Sequence, residues 1–505
     1  MWEMGQLDWR RKAAAARQKL ALAMVLALPI AGCTELTPLR GHSSSTDAPG
    51  RRCSVEFEWP RCEGQHAQSL SAMAAEFDRV ASQEHLAGDG LLRNIELTED
   101  LSAVARWKQH PNVVLWSGIY LASQALRWTV TGDGEALTNA RTVVAGLRRL
   151  TEVTGIPGLY GRTLAQPGVP YDYDGEGQPH WIASTAPGYE GWRWEDDVSQ
   201  DGYAGLMLGY AVALEHLEGT DVHYEVRRLV AELAERFVDH GLQIIDHTGE
   251  VTEHGRLYHT AFDNFPGFNA MLASSWIKVG ATANGDTALD AFYYGCLMGM
   301  RPDVLCPVFE QFDYGTYIES MELRLALFLK DCQQNYDNFD MTYQAIYPLL
   351  RREDDPILQQ RLVDVLRKNM FHTDNPEHQS VAVIGNAMLT FIYAALTCDG
   401  PEDDPVLRQA VQDAVCKLQS FPPVKYDRYL PAGTQTEICR NRLDQPVAAE
   451  PIPLEEYYLD HYLWRMDFFE IQPERAENRS HVFSPEDFLI AYWLGRFHGF
   501  IEADQ

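Results

Sequence analysis

The chain has 505 residues, 46% of them hydrophobic, and carries 42 Lys and Arg against 72 Asp and Glu, a formal charge of −30. So acidic a balance repels phosphate backbones and anionic head groups, which sets nucleic acid aside as a partner, while the apolar fraction is ample for a packed core. No G-x-S-x-G elbow, P-loop, H-E-x-x-H or strand-associated G-x-G-x-x-G occurs, so serine-hydrolase, nucleotide and zinc-peptidase chemistries lack their usual support, and neither a cofactor nor a metal is called for.

The chain opens with Arg10, Arg11, Lys12, Arg17 and Lys19, then runs without charge from Leu20 to Ile30. This is the charged and apolar layout of an export signal, too short to span a bilayer. The run closes in Leu28-Pro29-Ile30-Ala31-Gly32-Cys33, which resembles the lipobox of bacterial lipoprotein precursors. The resemblance implies cleavage before Cys33, lipidation of that cysteine, and anchorage in the bacterial envelope, at the outer membrane in preference to the inner. Removing residues 1–32 takes away five bases and only two acids, so the remaining chain is more acidic still, and its membrane contact would be through lipid alone. Residues 34–52 are rich in Ser, Thr, Pro and Gly and read as the flexible part of a tether, 33–64, ahead of one large domain over 65–505. Eight further cysteines permit disulfides; Cys53 with Cys62 is the best-supported pair, and Cys296, Cys332 and Cys416 read as buried thiols in apolar helical patterns.

From there the dominant signal is helical periodicity, with helices expected at about 66–85, 111–131, 134–153, 199–218, 222–246, 264–281, 285–299, 316–331, 337–351, 356–370, 378–398, 405–419 and 485–500. Turns such as Thr131-Gly132-Asp133-Gly134 and Glu218-Gly219-Thr220-Asp221 divide them into pairs, a glycine ending one helix and an acid capping the next. The first helix of several pairs is apolar all round, as in Trp116–Tyr120 and Asp201–Tyr210; the second carries a charged stripe, as in Tyr224–Arg236. Alternating buried and half-exposed helices resemble the (α/α) toroid of the six-hairpin glycosidase-like superfamily, over roughly residues 65–500. That resemblance implies an all-α ring with long loops gathered over one end and a glycan as substrate or ligand. It identifies no particular enzyme family.

The loops at 155–198, 248–263, 300–315 and 421–484 are then the expected functional segments. The richest stretch is Tyr189–Tyr203, preceded by Tyr160 and Arg162. It mixes flat rings, which stack on sugar C–H faces, with carboxylates of the kind that glycosidic cleavage needs in pairs. Asp197 and Asp201, four apart at an expected helix start capped by Ser199, would share one face and serve as acid and base. Glu195 is a less specific candidate; Arg162, Tyr160, Trp192 and Trp194 would position substrate. Equally, the two aspartates could only offset a helix dipole and the tryptophans only pack beneath the loop. The run from Asp197 mimics a calcium loop but has Leu208 at its twelfth position, where a glutamate is required.

Further along, Tyr258–Asn269 offers His259, Asp263 and Asn264 at a helix entry. His259 could act as the base of a polysaccharide lyase, although a lone loop histidine more often bonds to backbone. Asn386 on an apolar helix must find a partner, a side chain or a ligand. Trp116 and Trp464 are candidate sugar platforms, Trp464 at the toroid mouth. The expectation is a tethered envelope protein that binds or cleaves a glycan by glycosidase-type acid/base chemistry; the alternative is a non-catalytic scaffold for glycans or proteins.

Overall fold

A computed structural model describes residues 62, 69–257, 266–301, 304, 306, 314–319, 321, 336–371, 380–397, 404–433, 435–441, 444–464 and 468–503. Cys33 and the signal, Cys53, His259, Asp263 and Asn264 lie outside the described residues. In chain order the helices are α1 (Leu70–Val80), α2 (Val113–Thr131), α3 (Gly134–Glu152), α4 (Gln200–His216), α5 (Asp221–Asp239), α6 (Pro266–Asn284), α7 (Thr287–Ala291), α8 (Tyr314–Glu319), α9 (Tyr336–Arg352), α10 (Pro356–Val365), α11 (Val381–Ile384), α12 (Ala387–Thr397), α13 (Pro405–Gln419) and α14 (Glu486–His498).

Burial divides these helices into two classes. Every residue from Val113 to Arg127 in α2 and from Gly202 to Leu214 in α4 is buried. By contrast α5 buries only Val222, Val226, Leu229, Val230, Leu233, Ala234 and Phe237, the three-and-four spacing of one apolar stripe, and α13 repeats that pattern from Leu407 to Leu418. The buried class forms a closed inner ring, with α2, α4, α6, α9, α12 and α14 in contact in that order and α14 returning to α2. Outer helices lie against it, α3 on α2, α5 on α4, α13 on α12 and α1 on α14. The chain is an all-α (α/α) toroid, as the helix pattern implies.

Glycine sets the tightest seam of the ring. A Cβ on Gly118 of α2 would lie 2.3 Å from the Gly205 carbonyl of α4, and one on Gly209 would lie 2.3 Å from the Gly118 carbonyl. Gly205 and Gly209 are one turn apart, so the two backbones run in contact along α4, and any larger residue would force them apart.

The short strands are what helical periodicity does not reveal. β1 (Ile95–Leu97), β2 (Val104–Trp107), β8 (Tyr426–Asp427) and β11 (Asn478–Val482) make an antiparallel sheet in the order β2-β1-β11-β8, with Ile95 opposite Val482. This sheet ties the entry of α2 to the entry of α14. β3 (Leu164–Ala165), β4 (Trp181–Ala183) and β5 (Arg193–Glu195) form a second sheet, and β6 (Gln243–Ile245) pairs with β7 (Val251–Arg256) where the expected helix 222–246 stops at Asp239. β9 (Glu437–Arg440) and β10 (Pro446–Ala448) complete the set.

Two cysteine expectations are corrected. Cys62 pairs with Cys416 of α13, bridging 354 positions rather than closing a loop with Cys53, and Cys296 pairs with Cys306. Cys296 and Cys416 are therefore not free thiols; Cys296 is buried, while Cys62, Cys306 and Cys416 are half-buried.

Candidate functional site

Over the N-terminal ends of the inner helices lies a cavity of about 1030 Å³. It is lined by the segment entering α2 (Lys108 to Trp116), by Asp201 and Asp337 in the first turns of α4 and α9, and by loop residues between 432 and 483. The helix starts around it differ from those elsewhere. Outer helices α3, α5, α7, α10 and α13 are capped by the side chains of Asp133, Thr220, Asp286, Asp355 and Asp404. The inner α2, α4 and α14 begin without a side-chain cap. Their first-turn amides are left for other acceptors, and acids Asp201, Glu486 and Asp487 sit in the first turns of α4 and α14.

At the floor, His461 is 5% exposed and stacks on Trp116, ring centroids 3.7 Å apart and 18° from parallel. Its Nδ1 lies 2.5 Å from Oε1 of Glu486, which is completely buried. Burial opposes the imidazolium, but the Glu486 and Asp460 carboxylates outweigh it and raise the His461 pKa above its ordinary value; the same imidazolium holds Glu486 low against burial. Asp460, with Oδ1 3.6 Å from His461 Nε2, opens to the cavity with its side chain 43% exposed and is kept ionised by His461 against desolvation.

His110, its ring centroid 6.2 Å from that of His461, behaves in the opposite way. Desolvation first, and the positive His461 second, push its pKa down to about 3. Its Nδ1 accepts the Asn112 amide at 3.1 Å, so the neutral ring carries its proton on Nε2 and is a donor. The cavity floor thus holds two imidazoles whose pKa values are pushed apart, His461 up and His110 down, a separation typical of acid/base assignments.

The frame behind these groups is rigid. Asp487 accepts from Lys425 Nζ at 2.6 Å and from the Tyr462 amide at 2.8 Å, fixing the 461–464 turn to α14; Lys425 also reaches the Ser484 carbonyl. Asn386 donates to the Leu463 carbonyl at 2.8 Å and accepts the Leu389 amide. The partner that a buried Asn386 requires is therefore protein, and Asn386 positions the turn instead of facing a ligand.

Of the other residues singled out in the sequence, Asp201, Trp116 and Trp464 reach the cavity. Trp464 meets Trp116 edge-on at 5.8 Å. Ser199 sits at the N-cap of α4 but its hydroxyl bonds Asp201 instead of the backbone. Asp197 does not share a face with Asp201: the helix starts only at Gln200, Asp197 takes a left-handed φ of 64°, and its Oδ1 accepts the Glu253 amide of β7. Arg162 is spent on the carbonyls of Pro111 and Asp197 and on Asn112 Oδ1. Tyr160 is buried with its hydroxyl 3.0 Å from that of Tyr210, Trp194 of β5 is buried in the core, and Trp192 packs on Tyr189. Glu195, paired opposite Trp181, is pushed up by burial and lies outside the cavity lining.

His461, Asp460, His110 and Glu486 carried no such signal. Glu486 and Asp487 follow Ser484-Pro485 and read as an ordinary helix start, and Asp460-His461 has a partner only through contacts distant in sequence.

No protein-family model and no curated protein matches the sequence. Solved structures do resemble the fold. A D-mannose isomerase aligns over 88% of this chain and 100% of its own at 12% identity and a TM-score of 0.41. A sugar epimerase from a ruminal bacterium aligns over 86% and 99% at 9% and 0.42. A family 76 glycoside hydrolase (mannosidase) from Bacteroides thetaiotaomicron aligns over 85% and 98% at 7% and 0.40.

Proposed function

We propose that this protein is an exported, envelope-tethered enzyme that acts on a neutral glycan by acid/base catalysis in the cavity over the inner-helix N-termini. The observation that carries the reading is His461, held as an imidazolium between the Trp116 face and the Glu486 carboxylate, with the ionised Asp460 beside its Nε2. A buried acid next to a fixed carboxylate is what cleavage of a glycosidic bond requires, one group giving a proton to the leaving oxygen and another supporting the developing positive charge or the attacking water. His461 gives the proton. Asp460 or Asp201 takes the carboxylate role, and the Nε2–H of His110 binds a sugar oxygen.

Ligand class follows from the lining. Trp116, Trp464 and Tyr458 supply rings, and Gln472 supplies an amide that suits hydroxyls. Asp201, Asp337, Asp444, Asp460, Glu470 and Glu474 outnumber Lys108 and Arg475, which disfavours polyanionic chains. The volume exceeds a single small ligand and suits a short oligosaccharide.

Address rests on the lipobox-like Leu28–Cys33 and is supported by the disulfides Cys62–Cys416 and Cys296–Cys306, which persist in oxidising compartments. No helix among the described residues is long and apolar enough to cross a membrane. Cys33→Ser should move the protein from the membrane to the soluble fraction; undiminished attachment with no lipid on the wild type would reject the tether.

Turnover of a neutral-glycan library by wild type and His461→Gln tests the activity. Loss of turnover with retained binding supports the reading. The double variant His461→Gln/Glu486→Gln, which leaves no unpaired buried charge, keeps the test valid if the single variant folds poorly. Binding without turnover in the wild type would make the protein a glycan-binding scaffold.

A further inference from the structure

Away from the cavity, where β5 runs out beside the β6–β7 hairpin, Asp196, Asp246 and His247 each offer a ligand atom, all within 4.8 Å of one another. We infer that these three residues form a divalent-cation site, of the borderline class that takes mixed imidazole and carboxylate ligands such as Zn²⁺ or Mn²⁺. Three local observations carry this. Asp196 is 97% buried by exposure, at 3% accessible, yet its Oδ1 has no hydrogen-bond partner, a cost that burial of a carboxylate oxygen does not normally leave standing. Its other oxygen accepts the His247 amide at 3.0 Å and lies 2.5 Å from His247 Nδ1, so the carboxylate is aimed into the cluster and already fixes the position of the histidine.

Asp246 is divided in the same way. Its Oδ1 accepts the Thr248 amide and hydroxyl and the Glu250 amide, which builds the hairpin turn. The turn makes no use of Oδ2. The cluster therefore presents one unused carboxylate oxygen from a strand end, one from a turn, and an imidazole whose ring stands at 88° to Trp194, centroids 6.0 Å apart. One nitrogen with two carboxylates suits borderline transition ions, whereas calcium prefers oxygen alone and more of it. His247 is 41% exposed, leaving a face open for ion entry and for water to complete the shell.

The site would join two segments that helical packing does not hold together. Asp196 immediately precedes the left-handed Asp197 and the start of α4, which carries Asp201 to the cavity. An ion here would clamp the hairpin turn to that entry, a structural role separate from the acid/base groups.

Calorimetric titration of chelator-treated protein with Zn²⁺, Mn²⁺ and Ca²⁺ tests this. Expected is one equivalent of Zn²⁺ or Mn²⁺, bound more tightly than Ca²⁺, with a rise in melting temperature. Asp246→Asn keeps the Oδ1 acceptor of the turn while removing the charge, and His247→Gln removes the nitrogen; each should weaken binding at least tenfold with the fold retained by circular dichroism. No stoichiometric binding by any of the three ions, or affinity unchanged in both variants, would overturn the site and leave Asp196 and His247 as a simple carboxylate–imidazole pair. Neither result depends on glycan turnover.

Discussion

Two acidic, aromatic stretches of this chain meet very different fates. Residues 189–203 hold the denser set, yet most of it is consumed by structure: Trp194 in the core, Asp196 against His247, Asp197 on the Glu253 amide. Residues 458–487 look plainer in sequence, yet they place His461, Asp460 and Trp464 on the cavity with Glu486 directly behind. The difference teaches that the abundance of chemical groups matters less than what neutralises them. In the first stretch Asp196 and Asp197 have imidazole or backbone partners outside the cavity and only Asp201 reaches it; in the second, a buried carboxylate raises the pKa of an imidazole that lines the cavity.

The sharpest way to break this comparison is to remove one group from each side. His461→Gln should lower turnover about 10²- to 10⁴-fold, the usual worth of a positioned proton donor, whereas Asp197→Asn should stay within about threefold of wild type in kcat/KM on the same glycan. Equal losses would dissolve the distinction. In stability, Glu486→Ala removes one partner of a buried carboxylate–imidazole pair and should cost about 3–5 kcal/mol by denaturant titration. Glu190→Gln, on an exposed loop residue of the first stretch, should fall within about 0.5 kcal/mol.

Acid pH separates His461 from the other buried histidines. His85, His110, His216 and His498 are pushed down to about 4, 3, 4 and 3 by desolvation, below the value of the unfolded chain. A depressed folded pKa contributes stability that is complete above about pH 6.5 and is lost as pH falls toward 3–4, because the unfolded chain takes up protons that the folded one refuses. His461 has the opposite sign: its raised pKa contributes below the unfolded value and is lost as pH rises through the folded one. Four against one predicts a melting temperature that falls steadily below pH 6.5; a flat profile from pH 7 to 4 would contradict the burial of those rings. The smallest effect is expected at the rim, where Trp464→Ala should weaken glycan binding about 2- to 10-fold through loss of a stacking surface, with little change in kcat.

The fold was legible because its signals are local. Helices of 13 to 19 residues such as α14, α2 and α5 carry several turns of periodicity, and Gly132-Asp133 or Gly219-Thr220 mark their boundaries. Strands of two to six residues leave no comparable pattern, so β6 falls inside the expected helix 222–246 and β7 inside the expected loop 248–263. The site was legible only in part. Trp116, Asp201 and Trp464 announce themselves by residue type, and they do line the cavity. His110 and Glu486 become meaningful only when the β1–β11 pairing, Ile95 against Val482, brings the entries of α2 and α14 together. The disulfide from Cys62 to Cys416 escaped for the same reason: its partner is 354 residues away.

The central claim is that Glu486 keeps His461 protonated so that it can act as the acid. The pH dependence of kcat/KM for wild type and Glu486→Gln, on the best glycan of the library, tests it most directly. The account predicts an alkaline limb above the ordinary imidazole range in wild type that moves to lower pH in Glu486→Gln, as loss of the carboxylate frees the proton. An alkaline limb at the same pH in both proteins, or activity that rises as His461 deprotonates, would contradict it.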